Sequence, residues 1–198
     1  MERATYKPLP MSRMRAGVVC RSLVEGPKPV TPDTPAIEAM TDLRQVPAAT
    51  IRASATLTHA NRTMIARGVR LLFIVGITGE IEGLITAHDL LGERPITLMR
   101  ERGGKHGELR VADLMVPREA IEVLDIDTVQ RAEVGHVIAT LKEARRQHAL
   151  VVEKDRLTGE EFVRGIFSAT QIGRQLGMPI TAFEIARTFA EIEAQLAR

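Results

Sequence analysis

The chain has 198 residues, 44% hydrophobic and 26% charged, a globular balance that excludes a disordered or fibrous protein. No apolar run approaches the roughly 20 residues that cross a bilayer, and the stretch 16–20 is too short to read as a secretory signal. The formal net charge is +2. Cys20 is the lone cysteine, which leaves no intrachain disulfide or cysteine zinc cluster and fits a reducing, cytoplasmic setting.

Residues 1–40 read as an extension interrupted by Pro8, Pro10, Pro27, Pro29, Pro32 and Pro35, each of which removes a backbone donor and fixes φ. The stretch 27–35 is expected to be an extended, mobile linker. An internal repeat then sets the fold. Asp42-Leu43-Arg44-Gln45-Val46-Pro47 is echoed by Asp113-Leu114-Met115-Val116-Pro117. Helical spacing follows in both copies, through Leu57, Ala60, Met64 and Ile65, and through Val134, Val137, Ile138 and Leu141. Next come short apolar strands at 71–75 and 148–152, a Thr-Gly turn after each (Thr78-Gly79, Thr158-Gly159), and second strands at 81–85 and 162–167. Gly83, Thr86 and Asp89 map onto Gly165, Ser168 and Gln171 with one constant offset. Each copy reads β-α-β-β-α, an α/β (mixed α+β) fold. The expected division is 41–95 for repeat 1, a polar connector at 96–109 and 110–178 for repeat 2. The remainder, 179–198, is expected to be an amphipathic helix opened by a Thr181/Glu184 capping box and striped by Ile185, Phe189, Ile192 and Leu196.

These residues resemble a tandem pair of CBS domains, modules named after cystathionine β-synthase. The motif Gly83-Leu84-Ile85-Thr86-Ala87-His88-Asp89-Leu90 is similar to the family's glycine, hydrophobic pair, Thr/Ser, two variable residues and Asp. Gly165-Ile166-Phe167-Ser168-Ala169-Thr170-Gln171-Ile172 resembles it too. The resemblance implies two repeats packed sheet against sheet about a pseudo-two-fold axis, with clefts between them. It also implies a regulatory ligand of the adenosyl class (AMP, ADP, ATP or S-adenosylmethionine), a homodimer and a protein partner whose identity the sequence does not give. No required cofactor is implied.

Under that resemblance Asp89 takes the ribose role, Thr86 contacts ribose or phosphate, Gly83 belongs to the same motif, and Arg70 is a phosphate partner. Ser168, Gln171, Arg146 and His148 form the equivalent second site, where neutral Gln171 replaces the carboxylate and binding is expected to be weaker. The same residues also read as plain capping boxes that preserve the fold without binding anything. An alternative is therefore a non-catalytic scaffold with empty clefts. No nucleophile-base pair, zinc-type histidine spacing or phosphate-cradling glycine loop appears, so neither an independent enzyme nor a metal site is expected. Arginine richness, with 22 of 27 cationic residues, would suit phosphate recognition, but one Tyr and no Trp make a poor inventory for nucleic acid. Neither nucleic acid nor membrane is expected as a partner.

Overall fold

The computed structural model describes Met11, Arg13 and residues 28–102 and 106–177. The expected C-terminal helix, Cys20, and most of the N-terminal extension lie outside the described residues. In chain order the elements are β1 (Thr41–Asp42), β2 (Thr50–Ile51), α1 (Leu57–Arg67), β3 (Leu71–Val75), β4 (Ile81–Thr86), α2 (Ala87–Leu91), α3 (Arg94–Arg102), α4 (Val111–Leu114), β5 (Val116–Pro117), β6 (Val123–Asp125), α5 (Ile126–Gln130), α6 (Val134–Glu143), β7 (His148–Lys154), β8 (Glu161–Ser168) and α7 (Ala169–Gln175). Among the described residues no helix is long and apolar enough to cross a membrane.

Two four-stranded sheets result, in the orders β2-β3-β4-β5 and β1-β8-β7-β6. Within each, a parallel pair (β2 with β3, β6 with β7) precedes an antiparallel hairpin. Helix α1 forms because Thr56 caps it by accepting from the His59 N–H, and Leu57, Ala60 and Met64 bury one face. It ends at Gly68, whose φ of 64° is the left-handed conformation glycine adopts without penalty. Helix α6 buries Val134, Val137, Ile138 and Leu141 in the same way.

Each sheet covers its own core on its helical face. A third, smaller cluster of Leu71, Phe73 and Leu150 joins the two repeats sheet to sheet. The two-repeat α/β expectation matches this architecture, and its boundaries differ in an informative way. Residues 28–42 are not a free linker. Val30, Ala36, Ala39 and Met40 are buried in the core of the second repeat, and the Val30 N–H donates to the Gln175 carbonyl at 3.0 Å. Strand β1 pairs antiparallel with β8, and Arg164 of β8 bonds Asp42 and reaches Glu153 at 2.9 Å. Burial pushes the Asp42 carboxyl up, but hydrogen bonds from the Arg44 backbone and Arg164 outweigh it and hold the group below its ordinary value.

The mirror arrangement ties residues 109–117 to the first repeat. Leu109, Val111 and Leu114 enter its core, and β5 pairs with β4. Each repeat therefore borrows its edge from chain that precedes the other. The expected connector is also partly ordered, because α3 is a helix with its Arg102 bonded to Asp113 at 2.7 Å. Residues 103–105 lie outside the described residues.

Candidate functional site

Two clefts lie on either side of the sheet-to-sheet junction. The first, about 190 Å³, is floored by Leu71, Leu84, Val116 and Leu150 and carries Thr86, Asp89, Glu122, Arg145, Arg146 and His148. The second, about 230 Å³, carries Arg70, Ser168, Thr170, Gln171 and Arg174, with Phe73 and Ile166 in its wall.

The structure sorts the expected site residues differently from their order in the chain. Thr86 and Asp89 are joined by Arg146, which the sequence had grouped with Ser168 and Gln171, and by His148, which lines both clefts. Arg70, expected beside Asp89, instead lines the Ser168/Gln171 cleft and donates to Thr170 Oγ1 at 3.3 Å. The reason is the packing of one sheet on the other, which brings the strand entry of one repeat to the strand-to-helix junction of the other. Gly83 has a packing role. A Cβ there would sit 2.4 Å from the Val116 carbonyl oxygen of the neighbouring β5, so only glycine admits that strand.

Asp89 is 8% exposed and heavily engaged. Its Oδ2 accepts from the Thr86 N–H at 2.9 Å and the Thr86 hydroxyl at 2.7 Å, while Oδ1 accepts from Arg94 at 3.2 Å. A carboxylate offers about four acceptor positions, so capacity for one further donor remains. The second junction is built more loosely. Ser168 makes no side-chain cap.

His148, at the start of β7, lines both clefts. Its Nδ1 is buried with no hydrogen-bond partner. Burial lowers its pKa first, the Arg70 charge lowers it further, Asp89 opposes them, and the result is about 4. The imidazole is thus neutral at neutral pH. Just before it, Arg145 has a φ of 52°, the one described non-glycine residue with positive φ. Sequence reading missed this conformation; its signal was the alignment of Arg145 with Gly68. No group of His, Cys, Asp and Glu suited to a metal ion is present among the described residues.

Residues 21–95 match the family model of the CBS domain. No curated protein matches the chain. An uncharacterized conserved protein from Pyrococcus horikoshii is 18% identical with a TM-score of 0.54, over 78% of this chain and 100% of that one. The CBS-domain containing protein ATU1752 from Agrobacterium tumefaciens is 15% identical with a TM-score of 0.50, over 69% and 93% of the two chains. CBSX2, solved in complex with AMP, is 19% identical with a TM-score of 0.46, over 71% and 93%.

Proposed function

We infer that this chain, which carries a CBS domain in residues 21–95 and has the fold of a CBS-domain pair, is a regulatory module that binds an adenosyl nucleotide between its repeats. One observation carries this reading. A single cleft brings the Thr86/Asp89 pair together with Arg145, Arg146 and His148 over an aliphatic floor. A carboxylate suits ribose hydroxyls, guanidinium groups suit phosphate, and the floor suits an apolar face. At about 190 Å³ the cleft is smaller than most small-molecule sites, roughly 300–1,000 Å³. It encloses part of a nucleotide, and the rest lies at its open mouth. The class of ligand covers AMP, ADP, ATP and S-adenosylmethionine. The reading assigns the chain no reaction of its own, places it in the cytoplasm, and has it act as a homodimer on a protein partner.

The engagement of both Asp89 oxygens by Thr86 and Arg94 favours a second reading, in which the junction is only a cap and the protein is a scaffold. A thermal-shift and calorimetric panel of the four ligands separates the two. A ligand at 100 times its Kd raises stability by about 2.7 kcal/mol. The nucleotide reading expects such a shift with one compound, reduced at least tenfold in affinity by Arg146→Ala. A flat panel overturns it and leaves the scaffold.

A further inference from the structure

Away from the clefts, the helical face of the first repeat exposes aliphatic side chains where the second does not. A groove of about 470 Å³ runs between α1 and α2, lined by Met64, Ile65, Val69 and Leu91, with Arg70 and Arg174 at its polar edge and no carboxylate in its lining. Ile65 is 72% exposed and Leu91 59%. Backbone bonds identify their counterparts. The Val69 N–H donates to the Met64 carbonyl as Arg146 does to Leu141, and Ala87 donates to Arg70 as Ala169 does to Gln147. Ile65 and Leu91 therefore correspond to Lys142, which is exposed, and to Gly173, which is buried.

The described chain ends at the rim of this groove. Arg174 of α7 lines it, and three residues later Gly177, at a φ of 73°, turns the backbone out of the helix. Pro179 follows, and the Thr181/Glu184 capping box opens the expected helix. Residues 178–181 span at most about 14 Å, so that helix starts within this distance of Gly177. Over 182–198 it would be about 25 Å long, enough to lie along α1, and its stripe of Ile185, Phe189, Ile192 and Leu196 suits an aliphatic groove. Charge selects the same occupant. Helix α1 exposes Arg62 and Arg67 and contains no acidic residue, and Asp89 of α2 is buried. Residues 182–198 carry Glu184, Glu191 and Glu193 against Arg187 and Arg198. The same face of a second copy would instead set arginine against arginine.

We propose that residues 182–198, which lie outside the described residues, seat as a helix in the α1/α2 groove of their own chain, with the apolar stripe over Ile65 and Leu91 and the glutamates toward the arginines. The groove is then an internal docking surface for this chain's own segment. The inference goes beyond the nucleotide reading and stands or falls without it, since no bound ligand enters the argument.

The test uses the full chain with Cys20→Ser and a nitroxide on Gln195→Cys, a position off the apolar stripe, read by methyl NMR. The label is expected to broaden the Ile65 and Leu91 methyls and to spare Leu157, which is 97% exposed at the β7–β8 turn. Phe189→Glu is expected to abolish the broadening and to speed amide exchange in α1 and α2 by about tenfold, with α6 unchanged as the control for folding. Ile65→Glu, at an exposed position that leaves the core intact, is expected to do the same from the other side. Unbroadened methyls overturn the proposal, as does broadening that survives either substitution. Broadening seen only when the nitroxide and the isotope are on different chains overturns it in favour of exchange with a second copy. If Ile65→Glu halves the mass in light scattering and leaves the label signal unmoved, the face is a contact between copies and the proposal fails.

Discussion

The two repeats share one backbone plan and spend it differently. In the first, the strand-to-helix junction is closed by a bonded Thr86/Asp89 pair, while the helix-to-strand entry, with Gly68 and Leu71, supplies one cation, Arg70. In the second, the junction is loose, since Ser168 caps nothing, and the entry carries Arg145, Arg146 and His148. Because the repeats face one another, the elaborate half of each meets in the first cleft. The second cleft receives the plain entry and the loose junction, with Arg70 and Arg174 as its cations. The two clefts are thus alike in geometry and unlike in charge: the first holds carboxylates as well as cations, while the charged lining of the second is cationic.

Substitutions at equivalent positions sharpen this contrast. The largest effect is expected at Gly83→Ala, where the new Cβ meets a backbone carbonyl in β5 that cannot swing aside. Urea unfolding should show a loss of about 3 kcal/mol. At Gly165→Ala the obstacle is the flexible Met40 side chain, and the loss should be about 1 kcal/mol. Equal losses would break the distinction.

His148 gives the next effect. Its folded pKa of about 4 lies below the unperturbed 6.5, so the unfolded chain binds more protons between those values and stability falls as pH drops through them. The loss should reach about 2–3 kcal/mol by pH 4. The carboxyls of Asp42, Asp113 and Asp155, held below their ordinary values, lose stability in the same direction. The difference between the wild type and His148→Leu isolates the imidazole, and a variant with an unchanged pH slope would refute the assignment.

Third, Asp89→Ala should cost about 1–2 kcal/mol, because it strips a buried cap and leaves Thr86 and Arg94 without their acceptor. Ser168→Ala in the second repeat should change thermal stability by only a few tenths. Arg145→Gly is the one substitution of this set expected to stabilise, by about 1 kcal/mol, because it relieves the left-handed arginine. Thermal unfolding measures the gain, and an unchanged or lowered Tm would refute the strain assigned to Arg145.

Much of this architecture is legible in the sequence, for identifiable reasons. The strands are short apolar runs beside Thr-Gly turns, and α1 and α6 carry a clean helical stripe, so local pattern suffices. The packing of residues 30–40 is not legible, because Val30, Ala36, Ala39 and Met40 bury themselves without periodicity among prolines. Helix α3 is concealed by its polar surface, with Pro95 alone buried. The Thr86/Asp89 pair is visible as a motif. Its neighbours from the other repeat are not, since Arg146 and His148 reach it across the junction between the repeats, which leaves no mark on spacing.

The exchange of edges between the repeats also sets an order of events during synthesis. Asp42 and Arg164 are separated by 122 positions, and β1 has no strand to join until β8 exists. Loop closure of that span must precede the contacts that reward it. The first repeat, by contrast, is complete once residue 117 has been made. A growing chain therefore carries residues 28–42 without their docking surface until the second hairpin emerges, and a fragment cut at residue 95 would lack β5 and the apolar residues that close its core. The pair is one folding unit, so dissecting it at the repeat boundary yields two incomplete halves.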